Sequence, residues 1–298
     1  MKGAIIINGY YENESAIHQS KRLKQELEAL SVEVSIIKSN EVLTLIDEGE
    51  PHVLSLTKDA EGIYGADFVI YLNKDRYQAE VLEKCGYKLF NSANAIIVCD
   101  DKMLTFTTLA GGGVRMPKTI SSPIMYSEND DEIFLRSVEE SLGYPIIVKN
   151  VFGSMGKGVF KVDNFEELKT IFKKLRMLPH LYQQAVGTLG KDTRIIVIGG
   201  KVIGAIERRS ADDFRSNVEL GGSASSVIVT EEQGELAKEV VRLLGLDYAG
   251  VDILTGSDGE YVCEVNSNAF FNGMEQATGI NVAKHYAEYI IKKVNGEI

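Results

Sequence analysis

The order of strand-like and helix-like segments limits the folds that this chain can adopt. Near the amino end, apolar runs alternate with segments that carry apolar residues at helical spacing. The runs are residues 3–7, 32–37 and 67–72, and the helical segments are residues 15–30 and 75–85. This alternation predicts an α/β layer with a partly parallel sheet. From Arg194 onward strand-like segments follow one another, which predicts an antiparallel sheet.

The region between these two parts is predicted to be a small α+β unit. Helices are expected at residues 94–110, 129–142 and 164–175, and strands at residues 145–149, 159–162 and 181–185. The later strands are expected at residues 194–198, 201–208, 226–229, 250–255 and 260–266. We therefore divide the 298 residues into an amino-terminal α/β domain (1–95), a central subdomain (96–185) and a carboxy-terminal subdomain (186–298).

Charge and cysteine usage argue against several functional classes. A formal charge of -11 argues against nucleic acid as the main partner, because phosphate binding depends on clustered Lys and Arg. No apolar run approaches the roughly 20 residues that a membrane span requires. The three cysteines, Cys85, Cys99 and Cys263, lack the spacing of a zinc site or a disulfide framework. They are expected to be reduced core thiols of a cytoplasmic protein, with Cys263 and Val265 on the core face of their strand.

The connection between the last two strands brings two acids together. If residues 257–259 form a three-residue hairpin loop, Asp252 lies directly opposite Glu264. Asn266 points to the same face, because alternate residues of a strand share one side of the sheet. Two carboxylates and an amide oxygen are ligands that suit Mg²⁺. A magnesium site and a pair of solvated acids are both compatible with this pattern.

A glycine-rich segment follows Lys149, which ends a predicted strand. Its residues are Gly153, Ser154, Met155, Gly156, Lys157 and Gly158. Glycine permits close backbone approach to phosphates. The segment is neither a Walker loop nor a dinucleotide fingerprint, because it leads into a strand and not into a helix. We interpret it as a lid hairpin over a nucleotide.

A basic cluster lies in the antiparallel part of an otherwise acidic chain. Its members are Arg194, Arg208, Arg209 and Arg215, with Asn217 nearby. Arginines are tolerated on a solvated sheet face, but their concentration here favours a site for phosphate or carboxylate. No nucleophile with a neighbouring base is recognisable, and kinase signatures are missing. The remaining chemistry is phosphoryl transfer directly onto a substrate oxygen.

Several ordered motifs resemble those of the RimK-like ATP-grasp ligases, which include the enzyme that adds glutamate to the end of a ribosomal protein. The motifs are Asp101-Lys102, residues 145–149, the glycine loop, Asp192-Thr193-Arg194, residues 205–209, residues 213–217, residues 249–253 and Glu264-Val265-Asn266. The similarity covers about residues 95–285. Several motifs in one order are more specific than any single one.

The resemblance implies an ATP-grasp fold of three units, with ATP between the central and carboxy-terminal subdomains. Lys102, Lys149 and the glycine loop would bind phosphates. Adenine would contact Gln183, Gln184, Ala185 and Val186, and Asp192 would lie near the ribose. The catalytic residues would be Arg194, Arg208, Arg215 and Asn217. Asp252, Glu264 and Asn266 would hold Mg²⁺, for which Mn²⁺ can substitute.

The implied activity is ATP-dependent amide formation between an amino acid, such as glutamate, and a carboxylate-bearing acceptor. The acceptor could be a peptide, a protein tail or a small molecule, and a homo-oligomer is compatible with the sequence. Ser267–Phe271 stands where the ribosomal-protein ligase has Pro-Gly, so the substrate-side wall differs, and Gln184 replaces a Glu. A non-catalytic nucleotide-binding module and a phosphotransferase with a stable phosphorylated product are the alternatives.

Overall fold

The computed structural model describes residues 1–11, 13–153, 156–216 and 221–298. In this part of the chain the strands form three main sheets and one separate hairpin, with helices packed on the sheets. The predicted mixed α/β architecture is confirmed. Among these residues, no helix combines the length and apolar character needed to cross a membrane.

The amino-terminal part is a parallel sheet flanked by helices. Its elements are β1 (Lys2–Ile7), α1 (Glu14–Ala29), β2 (Glu33–Lys38), β3 (Val42–Asp47), β4 (Glu50–Ser55), β5 (Phe68–Leu72), α2 (Arg76–Lys84) and β6 (Leu89–Phe90). The strand order is β2-β1-β5-β6, and each neighbouring pair is parallel, as the alternating pattern predicted. The β3–β4 hairpin was not predicted, because Glu48 adopts a positive φ of 49° in its turn, where glycine or asparagine is usual.

The central part is an antiparallel sheet of four strands in the order β7-β10-β8-β9. The elements are α3 (Ala93–Asp100), α4 (Lys102–Leu109), β7 (Thr119–Ser121), α5 (Glu132–Leu142), β8 (Ile146–Asn150), β9 (Val159–Val162), α6 (Phe165–Leu175) and β10 (His180–Gln184). The helix predicted over residues 94–110 is two helices. Asp101 has an extended backbone between them, and its carboxylate accepts from Leu104 N as the cap of α4.

The carboxy-terminal part is an antiparallel sheet in the order β13-β12-β11-β14-β15. Its elements are β11 (Lys191–Ile198), β12 (Lys201–Arg209), β13 (Ser223–Ser226), α7 (Glu231–Leu244), β14 (Tyr248–Thr255), β15 (Glu260–Asn266), α8 (Asn272–Thr278) and α9 (Val282–Val294). The strand predicted at residues 226–229 lies three residues earlier, because Thr230 caps α7 through a capping box with Gln233.

The buried side chains show which sheets are joined. One face of the five-stranded sheet shares a core with the amino-terminal sheet, and its members include Phe68, Phe90 and Tyr248. The other face packs under α7, together with α3 and α4. The central sheet has a core of its own with α5 and α6, built around Phe172 and Tyr182. The central sheet is therefore the part that is packed most independently.

Asn91 connects the amino-terminal sheet to the carboxy-terminal part. Its side chain is buried, and its Nδ2 donates to the carbonyls of Tyr248 and Ser267, both at 2.8 Å. Its Oδ1 accepts from the backbone nitrogens of Asp247 at 2.6 Å and Tyr248 at 3.0 Å. One amide thus satisfies four backbone groups that lie more than 150 residues away in sequence.

We predict that Asn91→Ala lowers the free energy of unfolding by about 3 kcal/mol, because it leaves buried backbone groups without partners. Urea unfolding followed by circular dichroism measures this change. Asn129→Ala removes an exposed amide that donates only to Ser127, and this control should shift stability by less than about 0.5 kcal/mol. Equal effects of the two substitutions would contradict the assigned role of Asn91.

Candidate active site

The hairpin formed by β14 and β15 brings the two acids together, but by a different route from the predicted one. The loop has four residues, 256–259, and Thr255 pairs with Glu260. This register alone would place Asp252 opposite Cys263. A β-bulge between Asp252 and Ile253 accommodates one extra residue on β15, so Asp252 pairs with Glu264. The predicted loop length is wrong, and the predicted opposition of the two carboxylates is confirmed.

The bulge also changes the position of Cys263. Val265 is buried in the core, as predicted, but Cys263 lines a cleft on the same side as Glu264. Its Sγ lies 3.7 Å from Lys149 Nζ. The prediction of a core-facing Cys263 is therefore wrong, because strict alternation fails at a bulge. Burial raises the pKa of the Cys263 thiol although the nearby Lys149 opposes this shift, so the thiol is protonated at neutral pH.

A row of four buried charges crosses β12, β11 and β14. Strand register places Arg208 opposite Asp192, and Asp252 opposite Arg194. Arg194 donates from Nε and Nη2 to the two oxygens of Asp252, both at 2.7 Å. Arg208 donates from Nε to Asp192 at 2.7 Å and from Nη2 to Asp252 at 2.8 Å. The row thus consists of two guanidiniums and two carboxylates joined by charge-assisted hydrogen bonds.

Asp252 is ionised in this environment. Burial favours the neutral acid, but Arg194 and Arg208 outweigh burial and hold the pKa of Asp252 below its ordinary value. Each arginine uses only Nε and Nη2 for these contacts. Among the described residues, the Nη1 groups of both guanidiniums have no hydrogen-bond partner and remain available to a ligand.

The main cleft lies between the central sheet and the five-stranded sheet. Its empty volume, with the open mouth included, is about 840 Å³. Most of the residues that sequence analysis selected line it: Lys102, Lys149, Gly153, Gly156, Gln183, Gln184, Ala185, Val186, Asp192, Arg208, Arg215, Asp252 and Glu264. Ser154, Met155 and Asn217 lie outside the described residues.

Two side chains bind backbone carbonyls of the described glycines Gly153 and Gly156 at this cleft. Lys102 Nζ donates to Gly153 O at 2.7 Å, and Arg215 Nη1 donates to Gly156 O at 2.9 Å. A Cβ atom at Gly153 would lie 2.9 Å from Lys157 O, so the tight turn requires glycine. Gly158 lies at the base of the hairpin, where its carbonyl accepts from Asn150 N at 2.9 Å, and it does not line the cleft.

Lys149 carries a buried positive charge into the cleft. Its side chain is 6% exposed, and its Nζ donates to Gln183 Oε1 at 2.7 Å. Among the described residues, no carboxylate oxygen lies within 4.0 Å of this ammonium. Burying a charge without a counterion is costly, so this position favours an anionic ligand. Lys102 differs, because its Nζ lies 3.6 Å from Glu264 Oε1.

Two residues predicted to contact the nucleotide are already bound to protein groups. The amide of Gln183 accepts from Lys149 and donates to Thr119 Oγ1 at 3.0 Å. Both oxygens of Asp192 accept from Arg208, and Ser216 donates to one of them. In this structure both side chains therefore hold basic residues in place.

The main cleft is basic although the whole chain is acidic. Its charged lining consists of six cations, Lys102, Lys149, Lys157, Lys191, Arg208 and Arg215, and three acids, Asp192, Asp252 and Glu264. Arg209, which was part of the predicted basic cluster, is exposed and pairs with Glu207. An excess of buried and half-buried cations suits a polyphosphate ligand.

The predicted metal ligands have the chemistry that Mg²⁺ requires. Asp252 is ionised and faces Glu264, and the next alternate residue of β15 is Asn266. Among the described residues, no cluster of three or more His, Cys, Asp or Glu side chains is arranged to hold a metal. The Nδ2 atom of Asn266 is buried without a partner, which leaves that amide uncommitted to the protein. These residues fit a hard divalent cation.

A second cleft lies on the other side of Glu264. Arg194, Glu264 and Asn266 line it together with residues of the amino-terminal part. Asn268 belongs to the Ser267–Phe271 segment that sequence analysis assigned to the substrate-side wall, and the polar residues that it missed are Asn8, Tyr11, Asn13, Asn73 and Lys74. Their position was recognisable in part, because Asn8 follows β1 and Asn73 follows β5, and ligands often bind at the carboxyl ends of parallel strands.

The family model described as the RimK-like ATP-grasp domain matches residues 99–290. The human N-acetylaspartylglutamate synthase A is 39% identical over 212 residues, which cover 70% of this chain and 53% of that protein. The chain thus spans about half the length of this curated relative. A probable alpha-L-glutamate ligase of Psychromonas ingrahamii is 30% identical over 297 residues, covering 95% of this chain and 94% of that protein.

Solved structures extend the likeness to the whole fold. D-alanine–D-alanine ligase from Bacillus anthracis, solved in complex with ATP, superposes with a TM-score of 0.74 at 19% identity and covers 100% of both chains. The sheets described above are therefore those of an ATP-grasp fold. With the family match and the full-length bacterial relative, the sequence and the structure agree: this chain belongs to the RimK-like ATP-grasp family.

Proposed function

We propose that this chain is an ATP- and Mg²⁺-dependent ligase that joins a carboxylate to an amine through an acyl phosphate. The supporting observation is the arrangement of charges in the main cleft. The facing carboxylates Asp252 and Glu264 lie across from Lys149, whose buried ammonium has no carboxylate partner among the described residues. A metal-bound polyphosphate matches both sides of this cleft, because it supplies a cation to the acids and anions to the lysine.

The proposal assigns a task to each group of residues. Lys149, Lys102 and Arg208 bind phosphate oxygens beneath the glycine segment, and Arg215 keeps that segment closed. Gln184, Ala185 and Val186 contact the adenine at the edge of β10. Asp192 holds Arg208 in place, and Gln183 holds Lys149.

Asp252, Glu264 and Asn266 would hold Mg²⁺, and Mn²⁺ would be accepted as a substitute. When bound there, the metal neutralises phosphate charge and thereby makes the terminal phosphorus more open to attack. Arg194 lines the second cleft and not the phosphate cleft, so we assign its Nη1 to the acceptor carboxylate. Asp252 thus orients the two arginines, one for each substrate.

The reaction consists of two substitutions. An oxygen of the acceptor carboxylate attacks the terminal phosphorus of ATP, the bond to the bridging oxygen breaks, and ADP leaves. The amine nitrogen then attacks the carbonyl carbon of the acyl phosphate, and the bond from that carbon to the phosphate oxygen breaks. Of the two protons that the ammonium loses, one goes to the departing phosphate and the other to solvent. The side chains contribute charge and positioning, so no protein nucleophile is needed.

The substrates follow from the relatives by analogy. N-acetylaspartylglutamate synthase and alpha-L-glutamate ligase both carry glutamate in their names, so we propose glutamate as the amino acid. The acceptor is a carboxylate carried by a small molecule or a peptide. We also propose that residues 1–95, 96–185 and 186–298 act as three units. The separate core of the central sheet supports this division, although α3 and α4 pack with the last unit.

We predict that ADP and phosphate are released only when an amino acid and a carboxylate acceptor are both present, because the acyl phosphate turns over by transfer to the amine. A phosphate-release assay with glutamate and a panel of carboxylates measures this dependence, and mass spectrometry identifies the amide. A stable phosphorylated product would support a phosphotransferase instead. If the protein binds nucleotide but no combination of amino acid and carboxylate acceptor gives turnover, the result would support a non-catalytic nucleotide-binding module.

We predict that Glu264→Gln lowers kcat by about 100-fold or more, equivalent to about 3 kcal/mol, because a metal ligand is lost. Glu264 is a cleaner test than Asp252, whose loss would also leave two buried arginines without their carboxylate. Steady-state kinetics at varied Mg²⁺ measure the effect. The exposed Glu235→Gln serves as the control and should retain wild-type activity. Full activity of Glu264→Gln would refute the metal assignment.

A further inference from the structure

The second cleft is built from parts of the chain that are far apart in sequence. Its empty volume, including the mouth, is about 1060 Å³, and it shares Glu264 with the main cleft. One wall is the carboxyl edge of the amino-terminal sheet, where Asn8 and Asn73 follow β1 and β5. The opposite wall is the segment after β15, which includes Asn266 and Asn268.

The amino-terminal wall is preorganised by hydrogen bonds. Asn8 Nδ2 donates to Asn73 Oδ1 at 3.1 Å, and the same oxygen accepts from Lys74 N at 2.9 Å. Lys74 lines the cleft, and its Nζ pairs with Asp100 Oδ1 at 2.8 Å. This pair occupies one of the three donors of the ammonium, and Asp100 does not line the cleft. Lys74 can therefore bind an anion while Asp100 positions it.

The charged lining of this cleft consists of Lys74, Arg194 and Glu264. Glu264 belongs to the proposed metal site, so the two cations determine which ligand charge is favoured. Arg194 approaches from the five-stranded sheet and Lys74 from the amino-terminal sheet. Because the two cations come from different walls, a molecule with two anionic groups can contact both of them.

The wall after β15 adds polar groups that the protein does not satisfy. Asn266 Nδ2 and Asn268 Oδ1 are both buried without a hydrogen-bond partner. An orphan donor and an orphan acceptor near Arg194 suit a polar substrate that can both accept and donate hydrogen bonds. Asn268 lies in the Ser267–Phe271 segment, which directly follows β15.

We infer that the second cleft selects a substrate with two anionic groups, such as a dicarboxylate, and that Lys74 is the residue that specifies the distal group. This inference rests on the proposed function, because the reacting carboxylate is taken to lie at Arg194 beside Glu264. Lys74 contacts neither the phosphate side nor the metal side of the site, and it acts on substrate choice.

The test compares ligands that differ only in the distal charge. L-glutamate is paired with L-glutamine, and succinate with succinamate, in calorimetric titrations with and without Mg²⁺ and ADP. In the wild-type protein the member with two carboxylates, L-glutamate or succinate, should bind about tenfold more tightly than its amide in at least one of the two pairs. Lys74→Gln should abolish this preference, and Lys74→Arg should retain it.

Lys24→Gln is the matched control. Lys24 also belongs to the amino-terminal part, pairs with a carboxylate and is exposed to a similar degree, 37% against 40% for Lys74, but it lines neither cleft. This variant should keep the wild-type preference. Mg²⁺-dependent ADP affinity should be the same in all variants.

The outcomes separate this inference from the proposed function. Equal affinity for charged and amide ligands, no binding of any of them at millimolar concentration, or an unchanged preference in Lys74→Gln would overturn the inference. Failure of the wild-type protein to bind ADP with Mg²⁺ would overturn the proposed function instead. The nucleotide-free titrations still decide the role of Lys74 in that case.

Discussion

The row of alternating charges across β12, β11 and β14 is the interaction on which both clefts depend. Burying two guanidiniums and two carboxylates costs solvation, and bidentate geometry offsets much of that cost. Asp252 lies at the centre, with Arg208 on the side of the main cleft and Arg194 on the side of the second. Since each guanidinium uses two of its three nitrogens within the row, the third can contact a ligand. The row is thus both a structural unit of the sheet and the boundary between two binding sites.

The main cleft lies between two sheets that are packed in different ways. The five-stranded sheet shares its core with the amino-terminal sheet, whereas the central sheet has its own core. Hydrogen bonds from Lys102 and Arg215 to the carbonyls of Gly153 and Gly156 connect the glycine segment to residues outside the central sheet. The buried ammonium of Lys149 favours anion binding between them, so charge and architecture point to the same ligand class.

The two walls of the second cleft come from different parts of the chain. Its metal-side wall consists of residues that the proposed chemistry needs, and its other wall comes from the loops after β1 and β5. Loops at the carboxyl ends of parallel strands can change without disturbing the sheet. Asn91 follows β6 of the same sheet and bonds to Tyr248 of β14 and to Ser267 in the segment after β15, so it links the sheet that carries these loops to the opposite wall.

The sequence by itself determined the alternating and antiparallel parts of the fold and the basic and acidic residues of the main cleft. These features are local or periodic: alternate residues of a strand share a face, and Asp252 and Glu264 belong to one hairpin. Tertiary structure decided the bulge that places Cys263 in the cleft, the engagement of Asp192 and Gln183 by basic side chains, and the second cleft. Lys74 and Asn268 are separated by almost two hundred residues, and no periodic pattern connects them. Only the packing of the amino-terminal sheet against the carboxy-terminal one brings them together, because burial of their shared apolar core fixes that arrangement.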